Sequence, residues 1–227
     1  MNNYDSGNDT IYGNEERDVI VGGGGLFDVL HGNNGSDIIA TDFAVIRFNS
    51  SHPNLYGVVS IDTVNCSIDG GINYAFGEED DDILLGGGSS IDYLDGGDGN
   101  DLAAGDCVSI VYDANHFIAS ITSTYTSFGK QDNITLGDGD DFAIGGYGGD
   151  WIWAGNGSDI FVGDSAEILF YEETPLPDSL FWNVPKSITT IDCEYSGEDH
   201  LFGGDGEVDY IIGGGEVSLM RCILFGD

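Results

Sequence analysis

The sequence predicts an all-β chain wound into stacked coils, and three observations predict it. Aspartates recur every nine residues, as at Asp132, Asp141, Asp150 and Asp159. Two positions after each stands an apolar residue, Ile134, Ala143, Ile152 and Phe161 in turn. Between such runs lie longer segments whose apolar residues alternate with period two, while no stretch carries a capped helical stripe.

Composition sets the conditions for folding. Of 227 residues 41 are acidic and 5 basic, giving a formal charge of -36, and 37 are glycine. Such a chain repels itself when compact, and high charge with much glycine usually signals disorder. Against that, 41% of the residues are hydrophobic and 11% aromatic, more apolar material than a solvated tail carries. The chain is therefore expected to fold when cations neutralise it. Nucleic acid and anionic membranes would be repelled, and no run of about 18 apolar residues is present to span a bilayer.

The N-terminal MNNYDSGNDT has neither the basic region nor the apolar core of a signal peptide. The terminal CILFGD stops inside a pattern that continues elsewhere, which reads as an excerpt of a longer chain. Cys66, Cys107, Cys193 and Cys222 show no CxxC pair and no zinc-site spacing. They are expected to be packing or surface thiols, with disulfides open to them in an oxidising compartment.

The acidic positions fall into groups of four. Asp9, Asp18, Asp28 and Asp37 form the first, and Asn73, Asp82, Asp92 and Asp101 the second. Asp132 to Asp159 form the third, and Asp199, Asp209, Ser218 and Asp227 a weaker fourth. The predicted organisation is a single elongated domain over 1–227, with repeat groups at about 4–40, 68–104, 127–162 and 194–227. Inserts occupy about 41–67, 105–126 and 163–193, opening on TDFAVIRF, GDCVSIVY and GDSAEILF. Their alternating residues Ala44/Ile46/Phe48, Val108/Ile110/Tyr112 and Ala166/Ile168/Phe170 predict one strand each. A Ser-Ile pair later in each, at Ser60-Ile61, Ser120-Ile121 and Ser187-Ile188, predicts a second.

Within a nonapeptide six residues turn and three extend. Glycines permit the turn conformations, and the xUx triplet (U apolar) is a minimal strand with one side chain facing inward. Two nonapeptides make one coil, and coils stack at the strand spacing of about 4.8 Å. A single coil cannot bury its U residues, so stability comes from stacking. Three-residue strands bury too little to offset an ordering cost of roughly 1 to 2 kcal/mol per residue, so the turns must contribute as well.

Stacking places each turn aspartate over the one a coil later, giving the pairs Asp132 with Asp150 and Asp141 with Asp159. Bare carboxylates repel there, whereas a hard cation between them makes them ligands. Calcium takes six to eight oxygens at about 2.3 to 2.6 Å, and glycine turns supply carbonyls, here those of Gly146, Gly148, Gly155 and Gly157. Magnesium demands a tighter octahedron, and zinc prefers nitrogen and sulfur, while His31, His52, His116 and His200 are scattered. The full predicted ligand set comprises Asp9, Asp18, Asp37, Asp82, Asp101, Asp132, Asp141, Asp150, Asp159 and Asp199, with Asp28, Asp92, Asp209 and Asp227 in less regular turns.

Those turns, GGGGLFD, GGGSSID and GGDGEVD, carry one extra residue, so Phe27, Ile91 and Val208 take the carboxylate's place in the count. Either the turn bulges to restore Asp28, Asp92 and Asp209, or an apolar plug has replaced the cation. Asn73 offers only an amide oxygen and Ser218 no carboxylate, so their sites are expected to be weak or empty.

GGYGGDWIW at 145–153 fits the pattern GGxGxDxUx at every fixed position, and AGNGSDIFV at 154–162 misses only the first glycine. These nonapeptides resemble the calcium-binding repeats of the repeats-in-toxin (RTX) family. The resemblance implies a right-handed parallel β-roll, or β-solenoid, with several calcium ions in its turns and folding triggered outside the cell. It further implies a secreted or surface location within a longer repetitive parent, whose flanking repeats would be neighbours of this segment. Metal binding free energy is then folding free energy.

Function follows as a non-catalytic, calcium-rigidified segment. The alternative is an adhesion module binding glycan, mineral or ice through the insert surfaces, with Trp151, Trp153 and Trp182 as candidate contacts. No histidine pairs with a serine or cysteine nucleophile in a recognisable arrangement, so an enzyme is not expected.

Overall fold

Each nonapeptide folds as a turn followed by a short strand, and alternate strands fall into two parallel sheets. The computed structural model describes residues 7–49, 57–67, 70–88, 90–171, 185–192, 197–205 and 209–214. The first sheet holds β1 (Thr10–Glu15), β3 (Val29–Asn34), β7 (Ile72–Glu79), β9 (Ile91–Asp98), β13 (Asn133–Asp138), β15 (Trp151–Asn156) and β19 (His200–Gly204), in that spatial order. The second holds β2 (Val19–Val21), β4 (Ile38–Ala40), β8 (Ile83–Leu85), β10 (Leu102–Ala104), β14 (Phe142–Gly146), β16 (Ile160–Asp164) and β20 (Tyr210–Ile212). Among the described residues no helix is long and apolar enough to cross a membrane.

Register brings the U residues together. Leu30, Ala75, Leu94, Ile134 and Ile152 of the first sheet pack against Ile20, Ile39, Leu84, Ala103, Ala143 and Phe161 of the second, forming one dry seam. Fully burying a Leu, Ile or Phe contributes about 1.5–3 kcal/mol. A single triplet supplies one such side chain, so the seam stabilises only as a stack.

The inserts form a third sheet. β5 (Ala44–Phe48) pairs antiparallel with β6 (Val58–Thr63), β11 (Val108–Tyr112) with β12 (Ile118–Ser123), and β17 (Ala166–Phe170) with β18 (Pro185–Thr190). The three hairpins then join edge to edge through β6–β11 and β12–β17. One column of isoleucines, Ile46, Ile61, Ile110, Ile121, Ile168 and Ile188, crosses all six strands in register. This face packs on the second sheet, where Ile38, Ile83, Leu85, Leu102, Phe142 and Val162 meet Ile61, Ile110, Ile121 and Ile168. The second sheet is therefore covered on both sides, which explains triplets that are apolar throughout, such as IIA, ILL and LAA.

The first sheet keeps its outer face open, and rings line it. Tyr12 stacks on His31, Tyr74 on Tyr93, Trp151 on His200 (centroids 4.1 Å apart, planes 1° apart) and Trp153 on Phe202 (5.5 Å, 7°). These pairs follow the strand register, so ring faces meet across strands.

Cys66 and Cys107 are joined in a disulfide, with Cα atoms 6.2 Å apart. This corrects the expectation of packing or surface thiols for that pair. The third sheet brings the end of the first insert beside the start of the second, a proximity that their 41-residue separation conceals. Cys193, Cys222 and Trp182 lie outside the described residues.

Candidate metal centre

The turn aspartates stand in two columns, one at each edge of the roll. At the edge entering the first sheet they are Asp9, Asp28, Asn73, Asp92, Asp132, Asp150 and Asp199. At the edge entering the second they are Asp18, Asp37, Asp82, Asp101, Asp141, Asp159 and Asp209. Both columns pass the inserts without losing register.

Hydrogen bonds connect the columns coil to coil. In the second, the amide of each aspartate donates to Oδ1 of the next: Asp18 to Asp37 (2.7 Å), Asp37 to Asp82 (2.7 Å), Asp82 to Asp101 (2.8 Å), Asp101 to Asp141 (2.7 Å), Asp141 to Asp159 (2.9 Å) and Asp159 to Asp209 (3.2 Å). In the first, Asp9 donates to Asp28 (2.7 Å), Asp28 to Asn73 Oδ1 (3.0 Å), Asp92 to Asp132 (2.8 Å), Asp132 to Asp150 (2.8 Å) and Asp150 to Asp199 (2.9 Å). The two expected pairs, Asp132 with Asp150 and Asp141 with Asp159, are thus adjacent rungs.

The bulged turns resolve between their alternatives. Asp28 and Asp92 are fully buried in the column, while Phe27 stands 41% exposed outside it. The carboxylate is restored in both turns, with Phe27 outside the column and Ile91 paired to Ile72 at the start of β9. Asp209 also reaches its rung, whereas Val208, Ser218 and Asp227 lie outside the described residues. Asn73 keeps the ladder through its amide oxygen and donates from Nδ2 to Asp42 Oδ1 at 3.3 Å.

The second carboxylate oxygen is the chemically informative one. Oδ2 of Asp28, Asp37, Asp82, Asp101, Asp132, Asp141, Asp150 and Asp159 is buried without a hydrogen-bond partner. An unpaired buried charge is strongly disfavoured. Burial, reinforced by neighbouring aspartates and opposed by the Asp37 amide, pushes Asp82 up to about 9. The same causes raise Asp141 to about 9 and Asp150 to about 8, and raise Asp132 strongly.

These orphaned atoms face a cradle that only glycine leaves open. A methyl group placed on Gly105 would stand 2.5 Å from Asp132 Oδ2 and 2.6 Å from the Gly145 carbonyl oxygen, so only glycine lets these two oxygens converge there. The arrangement recurs at Gly32 with Asp37, Gly77 with Asp82, Gly96 with Asp101, Gly145 with Asp150 and Gly163 with Asp199. In each, a carbonyl oxygen of the next coil lies closer than 3.0 Å to the same point. The residues therefore fit a hard, oxygen-seeking cation.

Two rungs differ. At Asp141 and Asp159 the corresponding residues are Leu136 and Ala154, both buried in the core seam, so side chains fill the space left open elsewhere. Among the predicted carbonyl donors, Gly148 and Gly155 direct their oxygens at Gly197 and Gly204 of the next coil. Gly146, Gly148, Gly155 and Gly157 all adopt positive φ (111°, 127°, 113° and 142°), which glycine alone takes without strain. Asp9 is exposed, and Asp18, Asp199 and Asp209 are half-buried.

Among the described residues no three His, Cys, Asp or Glu side chains stand in a metal-holding group. Main-chain carbonyls of the glycine turns are therefore needed to complete a cation's shell here. Three further buried aspartates, Asp42, Asp106 and Asp164, flank the first column and were not among the predicted ligands. Their signal in the sequence was the second residue of each insert, TD, GD and GD.

The family profile described as the RTX calcium-binding nonapeptide repeat (4 copies) matches residues 5–25, 27–43 and 135–166. No curated protein and no solved structure matches the chain. The second group, Asn73 to Asp101, lies outside the matched residues but pairs strand for strand with coils on both sides. Over the matched residues the chain carries RTX calcium-binding nonapeptide repeats.

Proposed function

We propose that the chain is a non-catalytic calcium-binding β-roll that folds on binding the ion and serves as a rigid segment of a larger extracellular protein. The observation that carries this reading is the file of buried Oδ2 atoms without partners, which at Asp37, Asp82, Asp101, Asp132 and Asp150 stand opposite a glycine cradle. Calcium supplies the missing positive charge and turns the repulsion between adjacent carboxylates into coordination. Ligands are assigned to Asp18, Asp37, Asp82, Asp101, Asp132, Asp150 and Asp199, with Asp9, Asp28, Asp92, Asp141, Asp159 and Asp209 on the same columns. The Cys66–Cys107 disulfide supports an oxidising, extracellular setting.

Ring geometry favours this reading over an adhesive one. Stacking on a sugar uses the faces of aromatic rings. Trp151 and Trp153 each give one face to a neighbour, His200 and Phe202, which leaves less ring face open to a sugar.

The test is a calcium titration from chelator followed by circular dichroism, with stoichiometry measured on the same sample. A cooperative gain of β signal with several ions bound is expected. A chain fully folded in chelator overturns the reading.

A further inference from the structure

All three inserts leave the roll at one point of the nonapeptide. Gly105 and Asp106 fall where Gly145 and Gly146 fall one coil later, and the chain returns at Gly129 and Lys130, with the Lys130 carbonyl against Gly148. Thr41-Asp42 returning at Gly70-Gly71, and Gly163-Asp164 returning at Gly197, repeat this plan. In each case aspartate replaces the second glycine of the motif. The next coil keeps glycine above it, at Gly87, Gly146 and Gly214, with φ of 134°, 111° and 90°. A methyl group on any of these would come closer than 3.0 Å to the carboxylate below.

The surroundings of Asp42 and Asp106 differ in a telling way. Asp42, 5% exposed, has donors on both oxygens: Asn73 Nδ2 on Oδ1 at 3.3 Å and Ser90 Oγ on Oδ2 at 3.1 Å. The column residues around it are the neutral Asn73, Asp28 and Asp92, and Asp92 itself has donors on both oxygens, Thr41 Oγ1 at 3.1 Å and Ser90 Oγ at 2.9 Å. Asp106, 6% exposed, accepts the Tyr147 amide on Oδ2 and has the Lys130 amide nearby, yet its Oδ1 is buried with no hydrogen bond. The column residues around it are Asp92, Asp132 and Asp150, and the last two each have an unpartnered Oδ2. Around Asp42 every oxygen of the insert aspartate and of Asp92 has a donor. Around Asp106 one oxygen of the insert aspartate and Oδ2 of both Asp132 and Asp150 have none.

We infer that Asp106 is an additional ligand to a divalent, oxygen-seeking cation in the turn of Asp132, through Asp106 Oδ1, Asp132 Oδ2 and the Gly145 carbonyl. This rests on the calcium reading of the roll and extends it. The ion then grips the root of the β11–β12 hairpin, so that calcium orders the third sheet as well as the turns.

Calcium titrations of the full chain by calorimetry test this with three variants. Asp106→Asn is expected to weaken one site by about tenfold or more, since ligand charge count sets affinity in such sites. It is also expected to raise hydrogen exchange at β11 and β12 in calcium. Asp42→Asn, whose parent carboxylate already has donors, is expected to titrate as the parent does. Asp132→Asn, on the column, is expected to lose affinity whether or not Asp106 is a ligand. Parent-like binding by Asp106→Asn with weakened Asp132→Asn overturns the assignment of Asp106 and leaves the calcium reading standing. Parent-like binding by both overturns the two together. If Asp106→Asn does not fold in calcium, Asp106→Glu keeps the charge but moves it by one methylene. Weakened binding there supports the assignment, and parent-like affinity and stoichiometry count against it.

Discussion

The main-chain amide of Asp101 donates to Oδ1 of Asp141 at 2.7 Å, although 40 residues separate them in the chain. The intervening insert leaves the roll and returns without shifting the column by a single rung. Aspartate spacing is therefore a property of the coils, and the inserts are side branches.

Glycine cradles divide the columns into open and filled sites. Asp82 and Asp101 face Gly77 and Gly96, whereas Asp141 and Asp159 face Leu136 and Ala154. Asp82→Asn and Asp101→Asn are expected to lower calcium affinity at one site by about tenfold. Asp141→Asn and Asp159→Asn are expected to cost less than about threefold. Competition with a fluorescent chelator, run on all four variants, checks the difference. Equal losses would show that Leu136 and Ala154 do not matter.

The metal-free chain is expected to gain structure on acidification. Burial and neighbouring charge raise Asp37 and Asp159 to about 6, Asp101 to about 7 and Asp82 and Asp141 to about 9, from an ordinary 3.8. Between the ordinary and raised values the folded state holds more protons than the unfolded one, so stability falls as pH rises. It is fully present below about 4 and lost as pH climbs through about 6 to 9. Circular dichroism in calcium-free buffer at about pH 5 and about pH 8 is expected to show more β signal at the lower value. The opposite order would contradict the burial of these groups.

Gly96→Ala isolates the cradle from the carboxylate. The added methyl would meet Asp101 Oδ2 and the Leu136 carbonyl closer than 3.0 Å, and the carbonyl belongs to the main chain. Overpacking of this kind costs about 1–3 kcal/mol. Loss of one calcium per chain, together with a lower melting temperature in calcium, is the expected pair of effects. A parent-like stoichiometry would place the ion elsewhere.

Ile110 is buried between Ile61 and Ile121 and beneath the second sheet. Ile110→Ala is expected to destabilise the calcium-loaded chain by about 2–5 kcal/mol. Chemical denaturation in saturating calcium measures it. A change under about 1 kcal/mol would mean that the third sheet adds little to the roll.

Much of this was legible in the sequence, because nine-residue spacing translates directly into rungs. Ile152 and Asp150 land inward and in the turn as their phase requires, and the alternation at Val108/Ile110/Tyr112 gives the strand it predicts. What escaped depends on how separate inserts meet. Ile61 and Ile110 become neighbours only once two hairpins join, and the Cys66–Cys107 disulfide depends on the same event. Asp106 was hidden for a different reason. It replaces a motif glycine, so a search phased on the motif's aspartate passes over it. The fully apolar triplets of the second sheet were visible as residues, but their reason, a cover on the outer face, lies in the inserts.

The isoleucine column has a genealogical consequence. Every hairpin is anchored at the same point of its coil, and neighbouring hairpins bond through equivalent strands. Duplicating one segment of two coils and a hairpin in the coding sequence therefore adds two strands to each of the three sheets at once, without a compensating change elsewhere. Proteins of this build can grow or shrink by whole segments and remain foldable at each length.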